Sequence, residues 1–239
     1  MSPILIAVDG NYCSGKSLLI KILKNTFENE IIFLEDTDYI NDDDDNYDSI
    51  ENTLKKYYEN PKKYAFSYLM LCLINKINRL NKILKFNSNS FIIFEKSILA
   101  DKMVCGKLMY DTNLIDEIDY KIYLKYYNEF INSIKISGII YLDSIPSVCF
   151  DRLDSKYDIK ELNITYLRKY SKYYEEWLKT TPYIFLKLDS NINIRYKKYV
   201  IRSWMRDIFN FLSIFSRNNH EKKMFKYSEN YPYEIALEL

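Results

Sequence analysis

Residues 4–23 read ILIAVDGNYCSGKSLLIKIL. Ile4–Val8 is an apolar run of strand length, and from Ser17 to Leu23 the apolar residues Leu18, Leu19, Ile22 and Leu23 recur at helical spacing. Between them Gly10, four residues, then Gly15, Lys16 and Ser17 match the G-x-x-x-x-G-K-S pattern, in the strand–turn–helix context that gives the pattern its meaning. Such a turn gathers backbone N–H groups and a helix N-terminus around one anion, and its glycines allow positive φ and close approach to phosphate. The loop from Gly10 through Asn11, Tyr12, Cys13, Ser14, Gly15, Lys16 and Ser17 is therefore read as a triphosphate cradle. Lys16 would reach the β- and γ-phosphates, and the Ser17 hydroxyl would serve Mg²⁺.

Working outward, four more short apolar runs read as strands: Ile31–Leu34, Phe91–Phe94, Ile139–Leu142 and Tyr183–Leu188. All five are nearly continuous in hydrophobicity, as strands buried on both faces are. Long helical patterns separate them, around Ser17–Phe27, Ser49–Leu84, Ser97–Lys135 and Ser144–Thr180. The alternation predicts an α/β domain with a five-stranded parallel sheet flanked by helices, spanning residues 1–215. Pro61 is expected to divide the second connection into two helices. An acidic run, NDDDDNYD at 41–48, reads as a solvated loop, and residues 216–239 as a polar C-terminal tail.

Composition narrows the function. A net charge of +1 gives no reason to expect nucleic acid as a partner. Cys13, Cys72, Cys105 and Cys149 form no C-x-x-C pair, which suits a reduced, cytoplasmic setting. The single histidine, His220, lies in the polar stretch, so histidine-based acid–base chemistry is not expected. The first strand begins too early to leave room for a signal peptide, and the most apolar helical run, YAFSYLMLCLI at 64–74, is too short to cross a membrane.

In parallel α/β sheets ligands gather at the carboxyl ends of the strands. After the second strand, Glu35 stands where a carboxylate can take the proton of an attacking hydroxyl. After the third, Glu95 can hold Mg²⁺ opposite Ser17, Lys96 adds positive charge, and Asp101 lies further along the emerging helix. After the fourth, Arg152 is placed to approach a transferring phosphate, and Lys156, Lys160 and Glu161 follow in a segment suited to a lid over residues 152–162.

Taken together, these blocks resemble the deoxynucleoside kinase family, over about residues 4–188. The phosphate loop, YYENPKKYAFSY (57–68), FEKSILAD (94–101), YLDSIPSVCFDR (141–152) and ELNITYLRKYSKYYEEW (161–177) come in the family's order. The resemblance implies a P-loop kinase fold with a helical lid, and transfer of the γ-phosphoryl group of a nucleoside triphosphate such as ATP, with Mg²⁺, to the 5′-hydroxyl of a deoxynucleoside. It further implies that Glu35 is the general base and that Tyr58 and Glu161 bind the sugar 3′-hydroxyl. Glu95 would serve the metal and Arg152 the moving phosphoryl group, with Lys156 beyond it in the lid. Asp101 matches an aspartate of members that accept purine deoxynucleosides or deoxycytidine rather than thymidine. Members of the family often pair into homodimers through helices.

The chain departs from the family pattern at several positions. Lys96 and Lys76 stand where the family has arginines, which keeps charge but loses the bidentate fork. Leu69 replaces a glutamine that pairs with the base, Asp36 follows Glu35 in place of a proline, and Lys156 and Asp158 replace paired arginines of the lid. Two other readings stay open on these residues: a thymidylate-type nucleoside monophosphate kinase, and a kinase-derived binding protein with weak turnover.

Overall fold

The computed structural model describes residues 3–27, 30–35, 50–87, 90–131, 134–153, 162–192 and 197–226. Five strands, β1 (Ile4–Gly10), β2 (Ile31–Leu34), β3 (Phe91–Glu95), β4 (Ile136–Asp143) and β5 (Ile184–Asp189), form one sheet in the order β2-β3-β1-β4-β5. Every pairing is parallel. The five strands fall where the apolar runs predict them; β1, β3 and most of β4 are buried on both faces, whereas β5, at the sheet's edge, is largely exposed despite its apolar sequence.

Alternate residues of each strand feed two cores. Leu5, Ala7, Ile92, Phe94 and Ile139 face a layer made by α3 (Pro61–Phe86), α6 (Glu117–Ile131) and α8 (Ile164–Thr180), with Tyr57 of α2 (Ile50–Glu59) at its edge. Ile4, Ile6, Val8, Phe91, Ile93 and Ile140 face α1 (Lys16–Phe27) and α9 (Lys198–Ser213). Pro61 divides the second connection as expected: α2 ends at Glu59, and Asn60 caps α3 by accepting from the Lys63 N–H at 3.2 Å.

The third connection is less regular than its sequence pattern. α4 (Ile98–Ala100) runs into a π-helical turn (Asp101–Gly106) and then α5 (Lys107–Asp111), with a break before α6 where Asn113 has φ 57°. The fourth contains α7 (Pro146–Asp151) and α8, and the segment 154–161 between them, with Lys156, Asp158, Lys160 and Glu161, lies outside the described residues. So do Asp36 and the acidic run at 41–48.

Helix α9 was not expected, although Val200, Ile201, Trp204, Met205, Ile208, Phe209 and Leu212 make an apolar face at helical spacing and are all buried. Beyond it, α10 (Asn219–Met224) carries the core on to Phe225, whose ring meets Phe91 at 4.8 Å and Phe27 at 5.7 Å. Residues 227–239 lie outside the described residues. Among the described residues no helix is long and apolar enough to cross a membrane.

Candidate active site

The phosphate loop occupies the crevice at the carboxyl end of the central strand β1, between β3 and β4. Gly10 has φ 152° and Gly15 φ 99°. A Cβ at Gly10 would come within 2.7 Å of the Leu142 carbonyl oxygen and of Ser14 Oγ, so only glycine fits where the loop leaves the sheet. Cys13 also takes a left-handed conformation, φ 54°, held by its surroundings. The Lys16 ammonium lies over the loop, donating to Asn11 O at 2.9 Å and Gly10 O at 3.2 Å. A lysine so placed sits where phosphate oxygens meet the loop's N–H groups.

Asn11 ties the loop to α8, its Nδ2 donating to Ser171 Oγ at 2.8 Å and to Leu167 O at 3.1 Å. Arg152, at the end of α7, donates from Nη2 to Ser190 O at 2.8 Å and from Nη1 to Cys13 O at 3.5 Å. The fold thus brings the expected arginine to the loop.

Across the crevice Ser17 Oγ donates to Glu95 Oε1 at 2.8 Å. The two groups come from α1 and β3 and present a hydroxyl and a carboxylate side by side, the hard oxygen donors that Mg²⁺ takes alongside phosphate and water. The residues present therefore fit that ion.

On the other side of the loop lies a pocket lined by Tyr12, Tyr58, Leu69, Lys96 and Asp101 among others. Asp101 is its polar anchor. Lys76 Nζ donates to Asp101 Oδ2 at 2.5 Å and to Lys96 O at 3.0 Å, and Lys96 Nζ stands 3.6 Å from Asp101 Oδ1. Lys76 and Asp101 are nearly enclosed, at 2% and 4% exposure, so each charge depends on the other. The π-helical turn helps to aim this wall. Four residues of α-helix over-rotate a full turn by about 40°, whereas the wider π turn under-rotates it, so Asp101, Cys105 and Met109 all reach the pocket.

Sequence reasoning brought Tyr58, Leu69, Lys76, Lys96 and Asp101 to one place, and the structure does the same. Glu35 is different. It stands at the end of β2, but its carboxylate is ion-paired with Lys24 of α1 and does not line the pocket. Glu161 and Lys156 lie outside the described residues.

Sequence reasoning missed the pocket's aromatic character. Tyr12, read as a loop residue, sends its ring into the pocket, 4.9 Å from Tyr170 and 6.0 Å from Tyr166 between centroids. Tyr57 and Tyr68 stack at 5.1 Å on another side. Cys72 was missed too, though it sits one helical turn from Leu69 on the same face of α3. Burial pushes the Cys72 thiol up to about 11 and the Tyr12 and Tyr166 phenols well above their ordinary range, so these groups stay neutral at pH 7. The space between the rings that water can reach measures about 30 Å³.

The profile of the deoxynucleoside kinase family matches residues 6–213, which holds the loop, the pocket and α9. The chain belongs to the deoxynucleoside kinase family. Its relatives include a mitochondrial deoxyguanosine kinase of Xenopus laevis, 26% identical over 200 residues that cover 75% of this chain and 76% of the relative. The deoxycytidine kinase of Homo sapiens is 25% identical over 72% of this chain and 74% of its own. A probable deoxycytidine kinase of fowlpox virus is 29% identical over 72% and 71%. The family's chemistry is phosphoryl transfer to a deoxynucleoside, and the α/β P-loop fold is the one described above.

Proposed function

We propose that this deoxynucleoside kinase moves the γ-phosphoryl group of ATP to the 5′-hydroxyl of a purine deoxynucleoside or deoxycytidine in preference to thymidine. The observation that carries this reading is the Asp101 carboxylate, held by Lys76 and Lys96 in a pocket that shares Tyr12 with the phosphate loop. A carboxylate there accepts hydrogen bonds, and cytosine, adenine and guanine offer exocyclic amino groups where thymine offers carbonyls. The named relatives, deoxyguanosine and deoxycytidine kinases, support the same preference. Leu69 contributes no hydrogen bond, so discrimination among amino-bearing bases is expected to be weak.

Phosphoryl transfer needs in-line positioning and neutralisation of charge more than covalent chemistry. Lys16 and the loop N–H groups hold the triphosphate, and Arg152 steadies the moving group from the far side of the loop. Ser17 and Glu95 would hold Mg²⁺, which supplies neutralisation of the β- and γ-oxygens. Tyr58 and Glu161 bind the sugar, Lys96 orients Asp101, and Lys156 meets phosphate from the lid. Glu35 takes the 5′-hydroxyl proton after exchanging its Lys24 partner for the substrate.

Four unpaired cysteines suit the reducing cytoplasm, and pairing of two chains into a homodimer follows the family. The test is a panel of the four deoxynucleosides and their monophosphates with Mg²⁺-ATP. Transfer to deoxycytidine and purine deoxynucleosides, lost by 10²-fold or more in Lys16→Ala (~3 kcal/mol of transition-state stabilisation), is the expected result. Transfer only to monophosphates would overturn it in favour of a thymidylate-type enzyme, and ATP binding without any transfer would mark a binding protein.

A further inference from the structure

The turn after β3 carries both Glu95 and Lys96, and its backbone is unusual. Lys96 has φ 57°, a left-handed conformation that is unfavourable for a residue with a Cβ. Such a conformation persists only where its surroundings fix it. Here β1 fixes it twice. The Lys96 N–H donates to Val8 O at 2.9 Å, and the Ser97 N–H donates to Asp9 Oδ1 at 2.8 Å. Ser97 in turn starts α4, its Oγ accepting from the Ala100 N–H at 2.9 Å.

Asp9 is an odd residue for its place. It is wholly buried on the central strand, on the face where Leu5 and Ala7 precede it in the core. Its other oxygen, Oδ2, has no hydrogen-bond partner among the described residues. Packing alone would put an apolar side chain there, since an enclosed carboxylate is unfavourable unless it does something an alkyl group does not. What it does is accept from the Ser97 N–H, the side-chain half of the two bonds that anchor the turn.

We propose that Asp9 is a positioning residue for phosphoryl transfer. Through Ser97 it fixes the left-handed turn at Lys96 that sends Glu95 towards Ser17 on one side and Lys96 towards Asp101 on the other. Gly10 follows Asp9 directly, so one residue sets the phosphate loop and the turn that faces it in register. The inference rests on the roles given above to Glu95 and Lys96.

Asp9→Ala removes the acceptor, while Asp9→Asn keeps an oxygen at the same position. The measurements are kcat and KM in steady state, the calorimetric affinity for ATP with and without Mg²⁺, and the unfolding midpoint. For Asp9→Ala, kcat is expected to fall about tenfold and the gain in ATP affinity that Mg²⁺ brings to shrink several-fold. Asp9→Asn is expected within about threefold of the unaltered enzyme in both, since the bond to Ser97 survives. Should Asp9→Ala not fold, Asp9→Ser, whose hydroxyl is too short to reach Ser97, carries the same expectation. A folded Asp9→Ala with unaltered kcat and Mg²⁺ effect would overturn the proposal, as would an Asp9→Asn that is equally impaired. Glu95→Gln separates the two layers. If it leaves the Mg²⁺ effect intact, the reading of Glu95 is wrong; if it abolishes the effect while Asp9→Ala does not, only the role of Asp9 falls.

Discussion

Lys76 and Asp101 meet at 2.5 Å in a nearly closed pocket floor, a lysine of α3 against an aspartate of the π-helical turn. Removing one member of such a pair strands the other's charge. Lys76→Met is therefore expected to lower stability by about 3 kcal/mol in urea unfolding. It should also raise the KM for the deoxynucleoside at least tenfold, while ATP binding stays unchanged. Lys76→Arg, which restores a cation, should recover most of the stability. Equal stability of Lys76→Met and the unaltered chain would show that Lys96 alone satisfies Asp101.

Gly10→Ala tests the loop by shape. Its φ of 152° and the 2.7 Å approach of a Cβ to Leu142 O leave no room for even a methyl group. ATP affinity is expected to drop by more than tenfold, a loss of about 1.4 kcal/mol or more. The far-UV circular dichroism should change little, because the clash falls on the last residue of β1 and its partner near the end of β4, leaving the rest of the sheet paired. Calorimetry reads the affinity, and an unchanged value would mean that the loop relaxes freely around the added methyl.

The strands and most helices were legible because burial writes directly into residue choice. Phe91 to Phe94 run without a polar residue because neither face of β3 meets water. The helix Lys198–Ser213 was equally legible and was overlooked because polar residues on both sides resemble a tail. Other features leave no trace in a single sequence. The π-helical turn is a matter of hydrogen-bond partners, not of residue type. The direction of the Tyr12 ring depends on a loop conformation set by Asn11 and α8. The partnership of Glu35 with Lys24 joins two elements whose separation no spacing encodes.

Cys72 lines the pocket, and burial raises its thiol to about 11. Only the thiolate is nucleophilic, so at pH 8 iodoacetamide should label it about a hundredfold more slowly than an ordinary thiol. The rate should climb about tenfold per pH unit towards pH 11, and a bound deoxynucleoside should slow it at every pH. Peptide mass spectrometry distinguishes Cys72 from Cys13, Cys105 and Cys149. Rapid labelling at pH 8, or none of the expected protection, would place the side chain outside the substrate's reach.

Phe225 lies beyond α10, with its ring against Phe27 and Phe91 and almost no exposed surface. Phe225→Ala should cost about 3 kcal/mol or more, as other large-to-small core changes do. Both catalytic constants should stay near their unaltered values, since the ring packs on the face of the sheet opposite the acceptor pocket. Urea unfolding gives the first and steady-state kinetics the second. A loss below about 1 kcal/mol would mean that α10 is only loosely docked.

Tyr12 belongs to the phosphate loop by its backbone, whose N–H donates to Asn11 Oδ1 at 2.8 Å, and to the neighbouring pocket by its ring. A smaller side chain there is expected to enlarge the pocket and, by loosening the ring's packing on Tyr166 and Tyr170, to shift the phosphate loop as well. Under the proposed function, acceptor range and donor affinity are therefore expected to change together when this one residue is replaced.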